Sequence, residues 1–186
     1  CVNCIYNCHL KPHISQLMNK HTNICLNVIL DHSRHLLNRL HDNSIDVCFS
    51  YLATNEISYK CIPYKTDEII FVTNSQNIQF SNGIHNGEIL HLPIIYSKFM
   101  PKSGFDWIHD IFPPHYVFQF TISVIKEIIP FLLQYPYYAF LPRKLIEKEL
   151  KDGLLIEIPL LDYHIPPLQS YIIMKSNAKY NPLDYF

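Results

Sequence analysis

Short apolar runs alternate along the chain with stretches in which apolar residues recur every three or four positions. Continuous or period-two runs predict strands, and the 3.6-residue period predicts helices. Residues 2–6 read as a strand. Residues 12–20 read as a helix, with Pro12 acceptable in the first turn and Ile14, Leu17 and Met18 at helical spacing. Residues 24–30 form a β-branched strand pattern. Ser33 is placed to cap a helix reaching His41, whose apolar face carries Leu36, Leu37 and Leu40. Residues 45–51 follow as a near-continuous apolar strand, as expected when both faces of a sheet are covered. Strand, helix, strand, helix, strand predicts an α/β fold with a parallel, doubly wound sheet and right-handed crossovers.

Residues 59–73 read as two strand pieces with a polar break at 65–67. A loop with turn residues follows from 74 to 87, including Asn82-Gly83 and Asn86-Gly87. The alternation then restarts: a short helix at 88–92, a strand at 94–96, a helix at 104–111 and a strand at 117–120. Residues 122–134 form a strongly apolar helix, which Pro130 is expected to kink. A strand at 137–141 runs into Leu141-Pro142, a helix covers 143–151, Asp152-Gly153 turns the chain, and strands at 154–158 and 171–175 close it. Two α/β units are thus expected, joined near 71–75, with the chain returning to the first unit at its end. The expected division is subdomain I at 1–71 plus 154–186, and subdomain II at 72–153. Two crossings between them make a hinge.

Hydrophobic residues are 48% of the 186 and charged residues 17%, which excludes a disordered chain and leaves room for two small cores. The net charge is −1 and the arginines are only Arg34, Arg39 and Arg143, so no basic stripe exists to grip a phosphate backbone. The longest apolar run is about six residues, against the ~20 of a membrane span. The start lacks a secretory leader's charged-then-apolar pattern, so a cytoplasmic location and reduced thiols are expected. Cys1, Cys4 and Cys8 beside His9 have metal-like spacing, but no second knuckle completes four ligands. Cys25 and Cys48 read as small buried hydrophobes. The eleven histidines are scattered and read as surface residues. No metal or cofactor is expected. Catalysis is not expected either: no GxSxG elbow or HExxH helix occurs, and four glycines build no phosphate cradle. Asp67 and Glu68 are adjacent but point to opposite faces of a strand, which argues against paired acid–base work.

Several segments, in order, resemble one family. Leu10-Lys-Pro-His-Ile-Ser-Gln-Leu-Met through Val28 resembles the "leucine-x-proline, helix, then strand" opening of the sensing domain of LysR-type transcriptional regulators. Leu37-x-x-Leu40 with Ile45-Asp46-Val47 and Phe49 resembles its "leucine … leucine-aspartate-hydrophobic" strand, and Tyr64-Lys-Thr-Asp67-Glu68-Ile-Ile-Phe-Val its crossover strand. Gly87-Glu-Ile-Leu-His-Leu-Pro-Ile-Ile is loosely similar to the turn that follows. Ala139-Phe-Leu-Pro142 through Gly153-Leu-Leu-Ile-Glu-Ile-Pro159 is the nearest match. The resemblance implies two Rossmann-like subdomains joined by two crossover strands, like type 2 periplasmic binding proteins, with a small effector in the cleft between them. It implies a homodimer or homotetramer, with the helix at 12–20 and the strand at 24–30 packing against a partner's second subdomain. It places Cys1 where the sensing domain's first strand would lie. DNA is then contacted only through an amino-terminal winged helix-turn-helix outside this chain, and no membrane is involved. A stand-alone solute-binding protein for transport is the alternative. The family's Gly-hydrophobic-Gly turn is here Tyr135-Pro136-Tyr137, which reshapes one wall of the expected cleft.

Parallel α/β sheets place ligands at the carboxyl ends of strands, beside helix amino termini. Four segments fit: 7–9, 50–53, 97–99 and 120–123. The candidate effector-binding residues are Asn7, Cys8, Ser50, Tyr51, Ser97, Lys98, Phe120, Thr121, Ile122 and Tyr138. Helix amino termini expected at 11–14 and 122–124 would suit a carboxylate or another anion. Ser50, Ser97, Thr121 and Ser123 offer hydroxyls, and Lys98 a charge.

Overall fold

The computed structural model describes residues 1–21, 23–97 and 107–177. In chain order the elements are α1 (Asn3–Ile5), α2 (Lys11–Lys20), α3 (Ser33–His41), β1 (Val47–Ser50), β2 (Tyr59–Asp67), β3 (Ile69–Asn74), α4 (Asn86–Ile89), β4 (Ile95–Tyr96), α5 (Trp107–Ile111), β5 (Phe120–Thr121), α6 (Ile129–Gln134), β6 (Tyr138–Pro142), α7 (Glu147–Lys151), β7 (Leu155–Glu157) and β8 (Leu168–Lys175). The chain forms two compact units, Cys1–Thr66 with Gln169–Phe186, and Asp67–Leu168. The divisions fall later on the return than the expected 153/154, because β7 pairs with β3 and Leu160 bridges Ile84.

In the first unit, residues 2–6 are not a strand. α1, a π turn at Tyr6–Leu10 and α2 make one helical run. Cys4, Ile5, Cys8 and Leu10 are buried, and 4, 5 and 8 share one face at helical spacing, so the apolar period was helical from the start. Residues 24–30 belong to no ladder, and Cys25 is exposed rather than buried. α3 buries Leu36 and Leu40. Its N-cap is His32, and the Ser33 hydroxyl instead accepts the Tyr51 amide at 3.3 Å. β8 lies between β1 and β2 and runs antiparallel to β1, from Val47 opposite Met174 to Ser50 opposite Tyr171. Fully buried Ser170 stitches β8 to β2: its hydroxyl donates to the Lys65 carbonyl at 2.7 Å and accepts the Lys65 amide at 3.2 Å.

In the second unit β3 is central, flanked antiparallel by β6 (Ile69 opposite Pro142) and β7 (Val72 opposite Glu157). Every residue of β6 is buried. β4 and β5 are parallel, and an Ile94–Tyr138 bridge sets β4 parallel to β6. The Ile84–Leu160 bridge is parallel as well. The aromatic core includes Phe71–Phe140 at 4.6 Å between ring centroids, Trp107–Phe140 at 5.1 Å and Phe112–Phe118 at 4.9 Å. Each such pair adds about 0.5–1.5 kcal/mol beyond its buried area. Buried Asp67 and exposed Glu68 point to opposite faces, as expected. Glu68 and Glu157 accept the Arg143 guanidinium at 2.5 Å each, tying the end of β6 to the start of β3 and the end of β7. The single helix expected at 122–134 is a 3₁₀ turn at Ile125–Ile128 followed by α6. Pro130 stands in the first turn of α6, where its missing N–H costs nothing, so it starts a helix instead of kinking one. Gly153, at φ +67°, ends α7 in the left-handed conformation that glycine tolerates.

Candidate functional site

The first unit carries four candidates. β1 ends at Ser50, which is fully buried, and its hydroxyl accepts the Leu52 amide at 2.9 Å. Tyr51, also buried, is fixed through its amide on Ser33. Both therefore shape the turn leaving the strand. Asn7 and Cys8 stand on the π turn. The Asn7 amide group donates back to the Asn3 carbonyl at 2.9 Å and to the Asn3 side chain at 3.1 Å. Cys8 is buried with its Sγ 3.9 Å from that of Cys4. The helix amino terminus expected at 11–14 is not there. The helical run begins eight residues earlier, and the Lys11 amide already bonds the Tyr6 carbonyl. The first-turn N–H groups are those of α1.

Sequence reasoning missed an aromatic group beside these residues. Half-buried Tyr64 of β2 meets the Phe49 ring edge-on at 5.2 Å and the His9 ring at 6.1 Å. Lys65 Nζ lies 5.6 Å from the Tyr64 ring centroid. Burial pushes the Tyr64 phenol pKa up. The signal was present: Tyr64 alternates with Ile62 in a strand pattern, so the two share a face. Cys48, one residue before Phe49, has its thiol pushed up to about 12 by burial, which keeps it protonated.

The second unit brings three candidates together with Ser97. β4 and β5 are in register, Ile95 opposite Phe120 and Tyr96 opposite Thr121. The Ile122 amide donates to the Tyr96 carbonyl at 2.9 Å, so Ser97 and Ile122 leave the sheet side by side at its carboxyl end. Ser97 is 3% exposed, and its hydroxyl has no hydrogen-bond partner among the described residues. Thr121 is exposed; Phe120 is half-buried, with its ring edge-on to Phe131 at 5.0 Å and to Tyr137 at 6.0 Å. The helix amino terminus expected at 122–124 starts later, at Ile125, because Ile122 still extends β5. Lys98 lies outside the described residues.

Tyr138 is not brought to this end. It opens β6 level with Ile94, three residues before Ser97 on the parallel neighbour, roughly 10 Å back along the sheet. Its buried ring stacks on Phe71 at 5.5 Å, and burial pushes its phenol up against an opposing hydrogen bond from Asn77. There it lines a separate hollow of about 460 Å³ with Asn77, Phe80, Glu88, His91 and Pro136. Tyr135 and Tyr137, at the turn where the family pattern has glycines, face each other edge-on at 6.1 Å.

No helix among the described residues is long and apolar enough to cross a membrane. The family model described as the LysR substrate binding domain matches residues 1–183. No curated protein matches the sequence. Solved structures share the fold at low identity. The regulatory domain of CrgA, a LysR-type transcriptional regulator from Neisseria meningitidis, superposes with a TM-score of 0.76 at 12% identity, over 97% of this chain and 88% of that one. Full-length OxyR C199D from Pseudomonas aeruginosa gives 0.73 at 12% identity, over 99% of this chain. The chain spans 64% of that full-length protein. The BenM effector binding domain with its effector benzoate gives 0.67 at 15% identity, over 99% of this chain and 85% of that one.

Proposed function

The chain belongs to the LysR substrate binding domain family, and from that premise we propose that it is the effector-sensing and oligomerisation domain of a LysR-type transcriptional regulator. In this reading a small metabolite, a carboxylate or other anion, binds in a cleft between the two subdomains. Binding shifts the population between arrangements of the domain and so controls the DNA binding of a longer, cytoplasmic protein. Useful coupling requires the effector to favour one arrangement by about 1–3 kcal/mol. The domain performs no chemical step.

The observation that carries this reading is the Ser97 hydroxyl, buried and unpartnered among the described residues at the carboxyl ends of β4 and β5. A buried hydroxyl without a partner costs about 1–3 kcal/mol, which a ligand oxygen can return. Thr121 and the main chain of Ile122 stand beside it, and Asn7, Cys8, Ser50 and Tyr51 are assigned to the other half of the site. Tyr138 is assigned a structural role at the far end of β4 and β6. No observation favours the transport alternative. Calorimetric titration with a panel of small carboxylates and phosphates tests the reading: one saturable site per chain is expected, and a chain that takes up none of the panel argues against it. Sedimentation tests the partner assignment, with a dimer or tetramer expected and a monomer at micromolar concentration contradicting it.

A further inference from the structure

The hollow beside Tyr138 lies wholly within the second unit. Its volume of about 460 Å³ falls inside the roughly 300–1,000 Å³ of small-molecule sites. It sits at the start of β6, roughly 10 Å back along the sheet from Ser97, so it is distinct from the candidate effector site. Its floor is apolar. Phe80, Pro93 and Pro136 line it with Tyr138, whose ring meets Phe80 edge-on at 6.4 Å. Buried Phe71 stacks on Tyr138 at 5.5 Å and fixes that ring. Phe80 is only half-buried, so part of its ring stays open. The polar groups of the lining are mostly acceptors. The Asn77 amide group donates to the Thr73 hydroxyl at 3.2 Å and to the Tyr138 hydroxyl. The Thr73 hydroxyl donates on to the Tyr137 carbonyl at 2.8 Å, which holds the amide in one orientation. Both Asn77 amide hydrogens are thus engaged, and its Oδ1 is left to accept. Glu88 Oε2 accepts the His85 amide at 3.0 Å, and Oε1 has no partner among the described residues. Gln79 and His91 complete the lining, and each can accept through an amide oxygen or a ring nitrogen. Among the described residues no lysine or arginine lines the hollow.

We propose that this hollow is a second small-molecule site, independent of the effector cleft, and that it takes a small organic cation of the methylated ammonium class. Two aromatic rings and a carboxylate with one unbonded oxygen attract positive charge. An anion would meet that carboxylate and the Asn77 oxygen with no cation to pair it. The apolar floor chooses among cations. A bare ammonium holds its water tightly and would lose it against Pro93 and Pro136 without replacement. A methylated ammonium instead presents a charged but apolar surface, which suits both the rings and the prolines. The Tyr138 hydroxyl accepts from Asn77 and keeps its own proton, which a hydroxyl oxygen on the ligand can accept.

Choline titrated into the isotope-labelled chain, followed by the amide NMR shifts, tests this. Saturable shifts centred on 77–93 and 136–138 are expected. The uncharged analogue of choline, with a tert-butyl group for the trimethylammonium, is expected to bind about 5- to 30-fold more weakly, the worth of a cation on an aromatic face. Glu88→Gln keeps an oxygen to accept the His85 amide and is expected to weaken choline about fivefold by removing the charge. Phe80→Leu is expected to weaken it as well. Ser97→Ala is expected to leave choline affinity unchanged, so the result stands whatever the effector cleft binds. Equal affinity for choline and its uncharged analogue overturns the proposal, and so does full affinity in Glu88→Gln. Shifts centred instead on 95–97 and 120–122, or no saturable shift at all, also overturn it.

Discussion

Replacing Ser97 by alanine should raise the stability of the unliganded domain and lower its affinity for the effector. Ser97 is 3% exposed and its hydroxyl is unpartnered among the described residues. Leaving a hydroxyl buried and unbonded costs about 1–3 kcal/mol. Alanine removes the oxygen while keeping the Cβ, so little packing is lost. The expected net gain is about 1 kcal/mol, which for a chain of 150–250 residues is about 2–4 °C in Tm. Scanning calorimetry of the wild type and Ser97→Ala without ligand measures it. With effector the sign reverses. A hydrogen bond to a charged ligand oxygen is worth about 1.5–3 kcal/mol, so the variant should bind about 10- to 100-fold more weakly. A variant destabilised by 1 kcal/mol or more without ligand would refute the reasoning, because it would mean that the hydroxyl is already bonded. Unchanged effector affinity would refute its place in the site.

Gly83→Ala should destabilise the second unit by about 1–3 kcal/mol: Gly83 has φ +114°, and an added Cβ would lie 2.6 Å from Leu161 Cδ2 and 3.1 Å from the Pro159 carbonyl, which urea unfolding will read. The His85–Asp162 pair (2.9 Å) predicts a pH dependence. Its hydrogen bond to Asp162 raises the His85 pKa, and the same bond lowers that of Asp162. The His85 contribution is therefore complete below about pH 6.5, its unfolded pKa, and fades as pH rises through the higher folded value. The Asp162 contribution is present above its unfolded pKa of about 4 and fades at lower pH. The stability difference between wild type and Asp162→Asn should thus be largest near pH 5–6 and shrink by pH 9 to what the Asn86 amide bond to Asp162 provides; a difference flat from pH 5 to 9 counts against the pair. Iodoacetamide at pH 8 should modify exposed Cys25 well before buried Cys48, whose thiol is held near pKa 12, and mass spectrometry that finds Cys48 modified first would contradict that burial.

Much of the second unit was legible because its local signals agree with its packing. The fully apolar β6, the Gly153 turn and the run at 154–158 into β7 each carry a pattern that one element satisfies. The misreadings have physical causes. Residues 2–6 were ambiguous because a five-residue stretch with four apolar positions fits either period, and only the burial of Cys8 and Leu10 beyond it settles the helix. Residues 24–30 have strand composition, but a strand needs a neighbour, and among the described residues one is present only at Cys1. Strand direction is absent from an apolar pattern, so the antiparallel β1–β8, β3–β6 and β3–β7 pairs could not be anticipated. Ser97, Phe120, Thr121 and Ile122, which the proposed site uses, were legible as residues at strand ends. That Tyr138 lies level with Ile94 rather than with Ser97 is a matter of register, which an apolar pattern does not carry. Tyr64 and His9 were missed because their meeting joins residues far apart in sequence.

In the proposed function, effector binding to this domain controls DNA binding by the protein that contains it. Fluorescence anisotropy of a labelled operator, titrated with the full-length protein with and without saturating effector, measures that coupling directly. A change in operator affinity of about 5- to 150-fold, the equivalent of 1–3 kcal/mol, is expected, largely abolished by Ser97→Ala. An operator affinity that stays the same when the effector is demonstrably bound contradicts it.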